Sequence, residues 1–126
     1  MRLTVREVAD ILGVSSETIR YYIREGLIKP ERNSKNDYYG YSSEDVMLIS
    51  DILFYRDMNL SISNIHKIFD GIDVSQIGEI IDATIDEAND KIREYQNIAE
   101  RLESWRREYT EELDMVGKFR IGKMPA

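Results

Sequence analysis

Ser15-Ser16-Glu17-Thr18-Ile19-Arg20-Tyr21-Tyr22-Ile23-Arg24, running on into Glu25-Gly26-Leu27-Ile28-Lys29-Pro30, is the stretch on which the fold turns. Ser15 is a good N-cap, and Thr18, Ile19, Tyr22 and Ile23 continue a helix that Gly26 ends. Immediately upstream, Thr4-Val5-Arg6-Glu7 reads as a capping box, with the Thr hydroxyl and the Glu carboxylate satisfying each other's backbone amides. Val5, Val8, Ala9 and Leu12 then follow at helical spacing, and Gly13 stops the helix. Two short helices joined by a turn around Gly13-Val14 predict a helix-turn-helix.

Downstream the pattern changes. Leu27-Ile28 reads as extended, and Pro30 disfavours helix at Lys29. Glu31 to Asp37 is polar and turn-like, and Tyr38-Tyr39-Gly40-Tyr41 reads as a return strand, so this segment predicts a small β-hairpin, a wing. Ser42 to Asp45 is a second capping box, and Val46, Ile49, Leu53 and Phe54 predict a helix to about Met58. After a break at Asn59-Leu60, Ser61 caps a helix through Ile62, Ile65, Ile68 and Phe69 that ends at Gly71.

From about Gln76 to Val116 there is no proline and only one glycine, Gly78. Ile81, Ile85, Ala88, Ile92, Tyr95, Ala99, Leu102, Tyr109, Leu113 and Val116 recur at alternating spacings of four and three, interrupted at Arg106. A 3.5-residue period held over about five heptads predicts a coiled coil. Such a helix rises roughly 60 Å at 1.5 Å per residue, too long for a small domain to cover, so a second copy of the chain is its simplest partner. The alternation in Lys118-Phe119-Arg120-Ile121-Gly122-Lys123 suggests a short strand or ordered arm. The predicted architecture is therefore mainly α: a winged helix-turn-helix over residues 1–72, a dimerisation helix over 73–117 and a tail over 118–126.

Charge narrows the site. The 126 residues carry a net charge of −7, but residues 1–42 hold seven basic and six acidic side chains, whereas 43–126 hold ten and eighteen. The first segment is the credible seat for phosphates, and the acidic remainder would repel DNA and keep non-specific binding weak. The absence of cysteine excludes disulfides, thiolate metal sites and a cysteine nucleophile, and fits a reducing cytoplasm. No apolar run approaches the ~18 residues of a membrane span, and no secretion signal is visible at the N-terminus. His66, the single histidine, has no serine, carboxylate or metal-ligand constellation in sequence, so neither catalysis nor a cofactor is expected; paired acids such as Asp86-Glu87 and Glu111-Glu112 read as solvated helix faces.

The joint pattern Arg20-Tyr21-Tyr22, Gly26-Leu27-Ile28-Lys29-Pro30 and a tyrosine-rich wing resembles the N-terminal domain of the MerR family over residues 3 to about 70, and the long helix resembles that family's dimerisation helix. In the first turn of the second helix, Ser15, Ser16 and Thr18 offer hydroxyls and free amides to phosphate oxygens or base edges in a major groove. Arg20 is a forked donor suited to phosphate or guanine, and Tyr21 can donate to a phosphate; Tyr22 and Ile23 read as core. In the wing, Arg32 and Lys35 are the basic candidates, with Tyr38 and Tyr39 beside them, the other reading being a solvated turn with tyrosines over the core. The family's usual wing arginine is replaced by Tyr39 and its glycine by Asp37, which implies a lost phosphate contact. Arg56 and Ser61 are implied to flank the DNA, with ordinary capping and an exposed arginine as the alternative.

The resemblance implies a homodimer of antiparallel helices presenting two modules to a palindromic promoter, distortion of the DNA, and engagement of RNA polymerase. Activation and repression stay open. Trp105, Tyr95, Tyr109 and Phe119 are candidates for sensing a small-molecule effector, although aromatics at this spacing are more often helix-helix contacts. Metal-sensing members bind through cysteines near the end of the dimer helix, and this chain has none. A chain cut just after the dimer helix of a drug-sensing member would end as this one does, leading toward a further domain. The competing reading is a helix-turn-helix-like module that docks a protein and binds no specific DNA.

Overall fold

The computed structural model describes residues 2–33, 35, 36 and 38–121, with side chains given to residue 117. Two compact units result, residues 1–81 and 82–126.

In the first unit, α1 (Val5–Leu12) opens on the Thr4-Glu7 capping box and closes at Gly13, whose φ of 70° is the left-handed geometry a helix stop requires. The second helix, α2 (Ser16–Arg24), starts from Ser15, whose Oγ accepts from the Thr18 amide at 3.1 Å. Helices α3 (Ser43–Asp57) and α4 (Ile62–Phe69) form the second pair, each with a serine N-cap. The turn between them passes through Asn59 at φ 68°, a conformation asparagine tolerates better than most residues.

The wing is smaller than the sequence suggests. Strands β1 (Glu31–Arg32) and β2 (Tyr39–Gly40) are two residues each, paired antiparallel with Glu31 opposite Gly40 and Arg32 opposite Tyr39. Leu27 and Ile28, which read as extended, lie buried in the core outside either strand. The hairpin turn is closed by asparagine side chains: Asn33 Oδ1 accepts from the Lys35 amide at 2.8 Å and Asn36 Oδ1 from the Tyr38 amide at 3.1 Å. A contribution not anticipated comes from the N-terminus, where Leu3 and Tyr41 exchange two backbone hydrogen bonds of 2.8 Å, extending the wing by a third segment.

One core holds the unit together. Val8 and Ala9 of α1, Ile19 and Tyr22 of α2, Leu27, Ile28 and Tyr41 around the wing, Ile49 and Ile52 of α3, and Leu60 and Ile65 near α4 are all buried. Phe54, which lies in the predicted third helix, is exposed, whereas Tyr55 packs inward, edge-on to Phe69 at 6.3 Å between ring centroids. His66 clamps α4 to the end of α2, its Nε2 donating to the Glu25 carbonyl at 2.7 Å beside Gly26.

The last helix, α5, is unbroken from Val74 to Ile121, 48 residues. It begins on a capping box that the sequence reading passed over: Asp73 Oδ1 accepts from the Gln76 amide at 2.8 Å, and Gln76 Oε1 from the Asp73 amide at 3.1 Å. Its first turns belong to the N-terminal unit, where Ile80 packs on the core. The backbone of residues 118–121 continues the helix, where a short strand or ordered arm is expected from the alternation; extending a formed helix adds one hydrogen bond per residue fixed, whereas an isolated strand has no neighbour to pair with. The rest of the expected tail, residues 122–126, lies outside the described residues. Along the second unit, Ile85, Ala88, Ile92, Tyr95, Ala99, Leu102, Tyr109 and Leu113 are all exposed, as is Ile81 at the end of the first.

Candidate nucleic-acid interface

The recognition helix is built so that one face is core and the other free. Ile19 and Tyr22 point inward, while Arg20 and Tyr21 of the same turn face solvent. Tyr21 leans on Tyr22 with ring centroids 5.7 Å apart, which restricts the exposed phenol. Arg20 is held weakly, 3.8 Å from Glu17, whose carboxylate is taken more closely by Arg24 at 2.8 Å. At this exposure neither pair contributes much stability, so Arg20 can exchange Glu17 for an anion.

At the head of the helix, Ser15 and Thr18 are bound to each other, hydroxyl to hydroxyl at 2.9 Å. Ser15 therefore acts as a cap first, its oxygen accepting from the Thr18 amide as well. Ser16 is half-buried in the first turn.

In the wing, a cation lies across the hairpin from Tyr39, the position where the resemblance implies an arginine. Arg32, opposite Tyr39 in the register, lays its guanidinium carbon 4.6 Å from the Tyr39 ring centroid and donates from Nη2 to the Tyr39 hydroxyl at 3.0 Å. β1 thus holds a guanidinium against the Tyr39 ring of β2 at the same level of the wing. Lys35 and Tyr38 sit exposed at the tip, Tyr38 at 74%. Asp37 lies outside the described residues.

Arg56 is tied differently from the other candidates. Its Nη1 donates to the Leu60 carbonyl at 2.7 Å, which closes the turn between α3 and α4, and its charge stands beside the buried Tyr22 hydroxyl. Ser61 caps α4, accepting from the Asn64 amide at 3.0 Å. Both carry structural roles in the isolated chain.

Between the start of α1, the Arg20 face of α2 and the wing lies an open cleft of about 560 Å³. It brings together three of the predicted residues, Arg20, Tyr38 and Tyr39, and adds Arg2, Arg6 and the wing asparagines, which sequence reasoning did not select. None of its described lining residues is acidic. The other predicted contacts do not line it. Arg2 is positioned by packing: its aliphatic stem lies over Gly40, where an added Cβ would come within 3.1 Å of the Arg2 Cβ, and its Nη2 bonds Glu31 at 2.9 Å. At the floor, burial pushes the Tyr41 hydroxyl above its ordinary pKa, reinforced by Tyr39 and opposed by the Arg20 charge. The Leu3 bridge is the signal missed, because a three-residue lead-in before a capping box is too short to read as a strand.

Comparison with known proteins agrees with this geometry. A family model described as MerR HTH family regulatory protein matches residues 3–72. The HTH-type transcriptional regulator ZntR homolog of Haemophilus influenzae is 28% identical over 105 residues, which are 79% of this chain and 78% of that relative. The mercuric resistance operon regulatory protein of Bacillus cereus is 38% identical over 74 residues, covering 58% of this chain and 55% of that protein, so the chain matches about half its length. Among solved structures, HiNmlR, a MerR family regulator lacking the sensor domain, bound to promoter DNA, has the same fold, with a TM-score of 0.62 at 18% identity over 99% of this chain and 98% of its own.

Proposed function

The chain belongs to the MerR family of helix-turn-helix regulatory proteins, and we propose that it acts as a homodimer that binds palindromic promoter DNA and controls transcription from it. The observation that carries this reading is the cleft between recognition helix and wing: it is lined by arginines and free of described acidic residues in a chain whose net charge is −7.

In the proposed complex α2 enters the major groove. Arg20 and Tyr21, with Ser15, Ser16 and Thr18 at the helix head, meet bases and phosphates. Arg32, Lys35, Tyr38 and Tyr39 of the wing take the flanking backbone. Arg56 and Ser61 act there indirectly, by fixing the α3–α4 turn that lies alongside. Ile81, Ile85, Ala88, Ile92, Tyr95, Ala99, Leu102, Tyr109 and Leu113 form the dimer seam, and the DNA is distorted so that RNA polymerase engages the promoter. No helix of the described residues is long and apolar enough to cross a membrane, and the cytoplasm is the compartment proposed. No catalytic role is proposed. The alternative, a protein-docking module, gains nothing from an arginine-lined cleft with tyrosine walls.

Selection of genomic fragments by the full chain, followed by titration across salt, tests the reading. A sequence preference and a steep salt slope are expected, and Arg20→Ala should weaken binding at least tenfold. Equal affinity for selected and random duplexes would refute specific regulation; an unchanged affinity in Arg20→Ala would remove Arg20 from the interface.

A further inference from the structure

We propose that the cleft at the root of the wing seats a backbone phosphate of the bound duplex, with Arg6 as its anchor and Arg2 beside it. The inference rests on the DNA-binding reading above and carries the interface onto the first turn of α1.

Three guanidinium groups from three different elements line this cleft: Arg2 before α1, Arg6 in its first turn and Arg20 in α2. Two of them have a carboxylate nearby: Glu31 holds a single nitrogen of Arg2 at 2.9 Å, and Glu17 lies 3.8 Å from Arg20 but closer, at 2.8 Å, to Arg24. Glu7, next to Arg6 in the chain, is used by the cap, accepting from the Thr4 amide at 2.9 Å. Arg6 is exposed and, among the described residues, has no hydrogen bond, ion pair or ring contact. It also sits where a cation is unwelcome, since the first turn of a helix presents partial positive charge from unpaired amides. An arginine that opposes the helix dipole and makes no contact in the folded chain does nothing for stability; it is placed for an anion. The tyrosine walls sharpen that role. Tyr41 is buried at the floor and Tyr39 half-buried beside it, so an oxyanion entering the cleft is partly withdrawn from water, where charge-assisted hydrogen bonds to guanidinium strengthen. Arg2 keeps donors to spare after its bond to Glu31, and its stem is held in place over Gly40.

The test uses the full chain, the shortest duplex it selects from genomic fragments and a random duplex of equal length. Each phosphate contact contributes about 0.9 to the salt slope, so losing one per protomer should lower the slope by about 2 per dimer and weaken binding roughly thirty-fold at about 0.15 M salt. Arg6→Gln should show that loss equally on both duplexes, leaving preference intact, because a phosphate contact carries no base information. Arg6→Lys should recover most of the slope as a point charge. Arg6→Gln should melt no lower than the parent, which separates lost contact from lost fold. Arg101→Gln, which removes one cation from the other unit, should bind as the parent does. A parental slope and affinity in Arg6→Gln would overturn the proposal, as would a loss confined to the selected duplex, which would make Arg6 a base reader. If Arg20→Ala weakens binding while Arg6→Gln does not, this inference falls alone; if the chain selects no duplex, both readings fall.

Discussion

Ile92 sits at the middle of the proposed α5 seam and is 53% exposed in the single chain. Full burial of an isoleucine side chain stabilises by about 1.5–3 kcal/mol, so covering the exposed half contributes about 1 kcal/mol per protomer. In an antiparallel pair of α5 helices each seam residue occurs twice. Ile92→Ala should therefore cost about 2 kcal/mol per dimer and raise the dimer dissociation constant roughly thirty-fold. Ile92→Asp must in addition carry two carboxylates into an apolar seam, and the rise should be on the order of a thousandfold. Sedimentation equilibrium over a range of concentrations reads both values. Asn97→Ala, on the opposite face of the same helix, is the control and should leave the dimer unchanged. If both Ile92 variants sediment as the parent does, or if Asn97→Ala matches Ile92→Ala, the seam is assigned to the wrong face and the dimer must be covered by other residues.

Two further outcomes concern the DNA-binding unit. Burial raises the phenol pKa of Tyr22, with the Arg56 charge and hydrogen bond opposing, and burial and Tyr39 raise that of Tyr41 above the usual 10.0. Below about pH 10 both states hold these protons; above it the unfolded chain releases them first, so these two groups favour folding at neutral pH and withdraw that support as pH rises toward their folded pKa values. Spectrophotometric titration should show two of the eight tyrosines ionising late and together with unfolding; eight equivalent tyrosines would refute the burial argument. His66→Ala removes the bond to the Glu25 carbonyl, and urea unfolding should show a loss of about 1 kcal/mol. His66→Gln, which keeps a donor on a shorter reach, should recover part of it, and a loss equal to that of His66→Ala would show that packing, not the hydrogen bond, sets the effect.

The sequence disclosed the elements whose signals are local. Thr4, Ser15, Ser42 and Ser61 each cap the helix assigned to them, because a cap needs only a hydroxyl and an amide three residues on. What it concealed depends on contacts between distant segments. The Leu3 bridge to Tyr41, the Arg2 stem over Gly40 and the His66 bond to Glu25 span 38, 38 and 41 positions, and no periodicity announces them. The inward face of α3 was hidden for a related reason: the helix is apolar on several sides, with Phe54 exposed and Tyr55 turned to the core, so spacing alone does not say which face the core takes. Helix register alone puts Arg20 and Tyr21 on the exposed face of α2, as the structure has them. The place of Arg6 on the cleft was not legible, because it depends on the wing folding back beside α1, and in sequence Arg6 is only an arginine inside a capping box.

The wing shows how an acidic chain can keep a DNA-binding surface. Tyr39 stands where the resemblance implies an arginine, which by itself removes a phosphate contact. Strand register sets another cation beside it: residues opposite each other in an antiparallel pair lie about 5 Å apart, and Arg32 uses that proximity to cover the Tyr39 ring. Around the cleft, Glu7 is used by the α1 cap, while Glu17 and Glu31 are each paired with an arginine, and none of the three is among the lining residues. A net charge of −7 weakens non-specific attraction to DNA, so in the proposed complex the short-range contacts of α2, the wing and the cleft arginines carry the larger share of binding, and that share depends on sequence only where they reach base edges.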